Sequence, residues 1–189
     1  TKIPMKLLEE GWKNTEIARY MRETYGVSNE KTALAITIAN REKALLQDLD
    51  YENGYSLYVG IPFCPSICLY CSFGSHPLER WTKRVDEYLD TLCKELTFIR
   101  EQMGTRKLTT VYIGGGTPTT LEPEQLRRLL SHIQETFDFT WVKEYTVEAG
   151  RPDSITREKL QVMKEFPVTR ISVNPQTMNQ KTLDVIGRK

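Results

Sequence analysis

Cys64, Cys68 and Cys71 stand in the segment YSLYVGIPFCPSICLYC (55–71) with Cys-x3-Cys-x2-Cys spacing. Three soft thiolates so close together suit an iron-sulfur cluster, and a four-iron cubane held by only three protein ligands keeps one iron open for chemistry. A structural alternative is a zinc site completed by His76 in a Cys3His set, since zinc accepts such ligands readily. Pro62 and Pro65 flank the first thiol, and the fixed φ of proline holds the turn extended. Two further unusual segments lie downstream, GGGTPT at 114–119 and EAGRPD at 148–153. The glycine run lets the backbone come close to a ligand, or makes a tight structural turn. It lacks the third spaced glycine of a dinucleotide fold and the Lys-Ser/Thr of a phosphate loop, so it is weak as a nucleotide signature. Glu148 closes an otherwise apolar run, where a carboxylate is costly to bury without a partner.

The elements that must position these residues alternate. Runs of β-branched and aromatic residues predict strands at 56–60, 109–113, 145–148 and 169–173, and apolar periodicity predicts helices at roughly 82–103, 123–136, 156–166 and 179–186. In the first of these helices Val85, Leu89, Leu92, Leu96, Ile99 and Met103 step by four and three into one apolar stripe, while Pro123 suits the first turn of the second. Such alternation implies an α/β fold with a parallel sheet and right-handed crossovers. Ligands in these folds bind at the carboxyl ends of the strands. Each conspicuous segment follows a strand: the cysteine loop the first, GGGTP the second, EAGRPD the third and NPQ (174–176) the fourth. Residues 1–50 read differently, as a small helical segment preceding a core at 51–189. Leu7 and Leu8, then Ile17, Tyr20 and Met21, then Leu34, Ile38 and Leu45 recur at helical spacing, with Gly11 and Gly26 as stops and Ser28 as an N-cap.

The cysteine loop, GGGTPT and EAGRPD, in this order, resemble the radical S-adenosylmethionine (SAM) superfamily. The closer resemblance is to the oxygen-independent coproporphyrinogen III dehydrogenases, particularly their HemZ-like subfamily, and it runs from roughly residue 50 to the end. It implies a partial (β/α) barrel, here cut short after about four of six βα units, with an unpaired edge on the last strand. It implies a 4Fe-4S cluster on Cys64, Cys68 and Cys71, and SAM held by Gly115, Gly116 and Thr117 through its methionyl amine and carboxylate. Glu148, Gln176 and Arg188 match further SAM-binding positions. Tyr58 matches a tyrosine near the cluster and SAM, and Tyr70 an aromatic near the adenine. Plainer roles stand beside these: strand core for Tyr58, packing for Tyr70, and a favourable charge at a helix C-terminus for Arg188. The implied reaction passes an electron from the reduced cluster to SAM, and the 5'-deoxyadenosyl radical released then abstracts a substrate hydrogen. The substrate would be a porphyrinogen whose propionates become vinyl groups, and the electrons would come from a reductant such as flavodoxin or ferredoxin. Porphyrinogen-oxidising members often carry another cysteine two residues after the third ligand, whereas this chain reads Cys71-Ser72-Phe73. Haem handling or a different radical reaction is therefore the alternative, and a zinc-stabilised binding module is a third.

The totals bound the partners. With 26 basic against 25 acidic residues, nothing recommends a nucleic-acid footprint or a polybasic membrane surface. The segment TEIARYMRETYGVS faintly resembles a helix-turn-helix, but the gap from Ala18 to Gly26 is too long and the recognition helix would be apolar. No apolar run approaches the roughly 20 residues that span a bilayer, and the first residues lack a signal peptide's apolar segment, which favours the cytoplasm. Three clustered cysteines out of four favour a metal over a disulfide framework. Cys93 is expected as a small buried hydrophobe, and His132 as a surface or packing residue. A chain that starts with Thr1 and stops after a short helix reads as a piece of a longer protein, one that folds without turning over substrate by itself.

Overall fold

The structure is a computed structural model and describes residues 1–188. It comprises two compact units, Thr1–Tyr51 and a second that begins at Glu52. The first holds α1 (Lys2–Glu9), α2 (Asn14–Tyr25) and α3 (Asn29–Leu46). Gly26, at φ +60°, ends α2 in the left-handed conformation, and the Ser28 hydroxyl accepts from the N–H of Lys31 to open α3. Leu7, Leu8, Ile17, Met21, Ile36 and Ala39 form its core. α3 turns a different face inward from the one its leucines suggest. It buries Thr32, Ile36 and Ala39 and leaves Leu34, Ile38 and Leu45 exposed. Both stripes have helical spacing, so periodicity alone does not choose between them.

The second unit runs β1 (Tyr55–Ile61), β2 (Phe63–Cys64), β3 (His76–Pro77), α4 (Leu78–Trp81), α5 (Val85–Met103), β4 (Leu108–Gly115), α6 (Pro123–Thr136), β5 (Glu144–Glu148), α7 (Arg157–Lys164), β6 (Arg170–Ser172) and α8 (Gln180–Val185). Its main sheet has the order β1-β4-β5-β6 with every pair parallel. Alternate residues of the strands, Leu57, Val59, Ile61, Val111, Ile113, Tyr145 and Val147, join Leu89, Leu92 and Leu96 of α5 and Leu126, Leu129, Leu130 and Ile133 of α6 in one core. The stripe expected on α5 is the face that packs, with Ile99 at its margin. The helix itself starts at Val85, because Thr82–Arg84 forms a 3-10 turn after the short α4. The opposite face of the sheet is polar: Thr110 donates its hydroxyl to Ser56 at 2.7 Å, and Tyr58 stacks on Tyr112. β6 lies at the sheet edge with all three residues exposed.

Two further features depart from the sequence reading. The β2–β3 pair is a second, two-stranded parallel ladder, Phe63 opposite His76 and Cys64 opposite Pro77, too short to leave a pattern. Cys93 is half-exposed rather than buried, and its carbonyl lies 2.9 Å from Nε2 of His132, which also lies 3.2 Å from the Thr97 hydroxyl and so ties α6 to α5. Among the described residues no helix is long and apolar enough to cross a membrane.

The burial pattern predicts a sharp contrast between two leucines. Leu96 is 1% exposed and Leu45 is 69% exposed. In urea unfolding of the 189-residue chain, Leu96→Ala should cost about 2–5 kcal/mol and Leu45→Ala less than about 0.5 kcal/mol.

Candidate functional site

At the carboxyl end of β4 the chain enters Gly114–Gly115–Gly116. Gly115 has φ +106°, a conformation that disfavours any side chain, and a Cβ there would lie 3.0 Å from the backbone of Ile61. Beyond it the N–H of Gly116 donates to the carbonyl of Ile61 at 2.7 Å, and the N–H of Thr117 to that of Phe63 at 2.8 Å. The loop after β4 is thereby hydrogen-bonded to the start of the cysteine loop. A Cβ on Gly116 would fall 2.7 Å from the carbonyl of Phe63 and 3.1 Å from Sγ of Cys64. The sequence suggested a close approach to a ligand or a tight structural turn; the structure shows the glycines allowing a close approach of two loops. Thr117 is buried, and its hydroxyl sits 3.4 Å from Sγ of Cys64.

The cysteine loop is fastened at several points. At its base His76 donates its N–H to Pro62, and in its middle the N–H of Cys71 bonds the carbonyl of Cys68 at 3.0 Å. On the far side Leu69 donates its N–H to the carbonyl of Ile186, while the Ser66 hydroxyl donates to the carbonyl of Gly187 at 2.9 Å. The loop after β5 adds Arg151, whose guanidinium grips both oxygens of Asp153 at 3.0 and 2.6 Å. Burial works against its charge, but the hydrogen bond to Asp153 and the nearby negative groups keep its pKa raised. Lys159, buried on α7, donates to the carbonyls of Thr119 at 2.7 Å and Ser154 at 3.3 Å, bracing the loops after β4 and β5 against each other. The hydroxyls of Thr119 and Ser154 meet at 2.6 Å between them. Arg188, also buried, donates to the carbonyls of Asn174 and Gly150 at 3.0 and 2.7 Å, joining the loops after β6 and β5.

Glu148 at the end of β5 is half-buried and has a partner, the hydroxyl of Tyr112, which donates to Oε1. That hydrogen bond, with burial second, pushes the Tyr112 pKa up to about 12, so the phenol remains a donor at neutral pH. A cavity of about 210 Å³ collects most of the expected residues. Cys64, Cys68 and Cys71 line it with Tyr70; Gly115, Gly116, Thr117 and Glu148 form another wall; Gln176 and Arg188 line it too, as does Arg151. Gln176 has φ +66°, a strained backbone of the kind found at ligand sites, and its N–H bonds Oδ1 of Asn174 at 3.0 Å. Tyr58 stands apart. It lines an adjoining hollow of about 520 Å³ with Tyr112, Phe73 and Tyr88, sharing Gly115, Gly116 and Glu148 with the first.

Among the described residues no three His, Cys, Asp or Glu side chains are gathered as a ready metal-binding group; the thiols border one cavity without converging on a point. His76 lines a different hollow, its ring 5.1 Å from that of Trp81, so it does not join the cysteines as a fourth zinc ligand. Three thiols around a glycine-walled cavity fit a cluster with one open iron better than a closed zinc site. Arg151, Asp153, Ser66, Lys159 and Tyr112 were not singled out by the sequence reading. The Arg and Asp of EAGRPD were visible as a motif, whereas Lys159 is one charge among several on an ordinary amphipathic helix.

The model of the radical SAM superfamily matches residues 58–189. The whole chain is similar, at 38% identity over 192 residues, to the oxygen-independent coproporphyrinogen-III oxidase-like protein HemZ of Bacillus subtilis (strain 168), covering 38% of it. The heme chaperone HemW of the same organism is 40% identical over 134 residues, which are 70% of this chain and 35% of that protein. Among solved structures, the coproporphyrinogen III oxidase HemN from Escherichia coli, described as a radical SAM enzyme, superimposes with a TM-score of 0.66 at 30% identity, over 78% of this chain and 34% of that one. The chain thus spans little more than a third of the length of these relatives. The match to the superfamily model and the likeness along the whole chain converge on one conclusion: the chain belongs to the radical SAM superfamily, among the proteins similar to HemZ, HemN and HemW.

Proposed function

We propose that this chain is the cluster- and SAM-binding part of an oxidoreductase resembling oxygen-independent coproporphyrinogen III dehydrogenase, acting in the cytoplasm on a tetrapyrrole. The observation that carries the reading is that Cys64, Cys68 and Cys71 line one cavity at the strand ends together with Gly115, Gly116, Thr117 and Glu148. Cys64, Cys68 and Cys71 would hold a 4Fe-4S cluster. Gly115, Gly116 and Thr117 would receive the methionyl end of SAM, with Glu148, Gln176 and Arg188 around it and Tyr58 and Tyr70 at the margins. When bound, these cofactors supply a reducing electron and a carbon-centred radical that removes a substrate hydrogen, the electron coming from a reductant such as flavodoxin or ferredoxin. The chain's own residues do the positioning. Tyr112 orients Glu148 by donating to one carboxylate oxygen. The buried Arg188 holds the loops after β5 and β6 at fixed separation by two hydrogen bonds. The polar sheet face with Tyr58 and Tyr112 leaves an amphipathic hollow beside the cavity, suited to a ligand with an apolar ring and polar substituents.

A second reading, haem handling, is favoured by the similarity to HemW and by Ser72-Phe73 in place of a further cysteine. The deciding experiment incubates the full-length protein anaerobically with SAM, a reductant and coproporphyrinogen III. Vinyl-bearing product with 5'-deoxyadenosine supports the dehydrogenase; no product, together with stable haem binding, supports the second reading.

Two predictions test the site. Anaerobic reconstitution should yield iron, acid-labile sulfide and broad visible absorption, all lost in Cys64→Ala, Cys68→Ala and Cys71→Ala and kept in Cys93→Ala; a Cys68→Ala protein that retains its cluster would sink the ligand assignment. Glu148→Ala should weaken SAM binding by about 1.5 kcal/mol or more, the scale of a hydrogen bond to a charged group, measured by calorimetry on the reconstituted full-length protein. Gly116→Val should be worse, because its side chain would meet the carbonyl of Phe63 and Sγ of Cys64.

A further inference from the structure

Arg151 is 4% exposed. A guanidinium so deeply buried is tolerated only when its charge is countered and its donors are used. Asp153 takes Nε and one terminal nitrogen in a fork-to-fork pair. The other terminal nitrogen turns away from any carboxylate and reaches the cysteine loop. It donates to the carbonyl of Ser66 at 3.1 Å and to the Ser66 hydroxyl at 2.8 Å, and it lies 3.9 Å from Sγ of Cys68. The Ser66 hydroxyl passes the connection on to the carbonyl of Gly187. Behind it, the carbonyl of Arg151 accepts from the hydroxyl of Ser154, in the network braced by Lys159. One planar side chain therefore ties the middle of the cysteine loop to the loop after β5. Lysine has no fork that could hold Asp153 and Ser66 together.

We propose that Arg151 is the positioning residue of the cysteine loop, fixing Ser66 to Cys68 against the loop after β5 and lending an N–H to the sulfur of Cys68. The second half of this assignment rests on the reading of Cys68 as a cluster ligand. Hydrogen bonds to ligand sulfurs and local charge are among the factors that set cluster potentials. Because Asp153 balances the guanidinium charge, the N–H fork itself is what distinguishes Arg151 from a generic cation.

The test has two arms, both on the full-length protein. In the metal-free form, hydrogen exchange should be at least tenfold faster for amides in 66–71 of Arg151→Gln than in the wild type, with amides of β4 unchanged. Unchanged exchange in the loop overturns the proposal, and so does acceleration spread equally over the sheet, which would make Arg151 a residue of general stability. The double variant Arg151→Gln/Asp153→Asn, which removes both charges, guards against misfolding from an unpaired Asp153 and should show the same local loosening. In the reconstituted form, a redox titration followed by electron paramagnetic resonance should show the midpoint of both variants displaced to more negative potential by about 59 mV, a tenfold change in the one-electron equilibrium. An unchanged midpoint in the double variant overturns the sulfur contact. A wild type without iron and sulfide would overturn the cluster reading instead, while the exchange arm still judges the brace.

Discussion

Between β1 and β4 the parallel ladder does not stop where the strands do. Gly116 and Thr117 go on donating their N–H groups to Ile61 and Phe63, so two loops that would otherwise diverge are held in register at hydrogen-bond distance. This is possible only because Gly115 takes a left-handed φ and Gly116 presents no Cβ toward Phe63 and Cys64. The first thiol is set in place by this constraint, with Thr117 against it. The cavity wall, the entry of the cysteine loop and the approach to Glu148 all follow from the same few backbone bonds.

Around that ladder the loops are joined by buried cations rather than by apolar packing. Lys159 and Arg188 spend their donors on backbone carbonyls, and Arg151 divides its own among Asp153, Ser66 and the sulfur of Cys68; each connects segments far apart in sequence. Apolar side chains would exclude water equally well but would not fix distances or directions. Directional bonds hold this rim at fixed distances around the cavity. The hydrophobic core lies beneath, between sheet and helices, where it holds the strands that carry the loops.

The strand-helix alternation and the grouping of odd residues after strands were legible because both follow from strong local patterns. The long apolar stripe of α5 told which face packs, since it leaves no competing stripe. In α3 two stripes compete, and only tertiary contacts select Ile36 and Ala39 over Leu34 and Ile38. The cysteines, glycines and Glu148 were readable by residue type. Tyr112 was not, because its partnership with Glu148 and Tyr58 depends on the register of neighbouring strands. Lys159 was equally silent, since its burial depends on where α7 lies over the loops, and a lysine on an amphipathic helix is ordinarily solvated. His76 and Cys93 show the converse: residue chemistry suggested a ligand and a core thiol, and position made them neither.

The short β2–β3 ladder closes residues 65–75 into a ring whose ends are pinned by Phe63 opposite His76 and Cys64 opposite Pro77. Once the ends of a ring are pinned, changing its length costs only a slowly growing closure entropy, about 0.6 kcal/mol for each doubling. Cys64 stands at the pinned entry of this ring and Cys68 and Cys71 lie within it, whereas the stretch from Ser72 to Ser75 includes Phe73, largely exposed and bordering both hollows. Evolution can therefore lengthen or recompose this stretch at little thermodynamic cost while the thiols stay where they are. The same protein frame can in this way present different surfaces beside an unchanged cysteine loop.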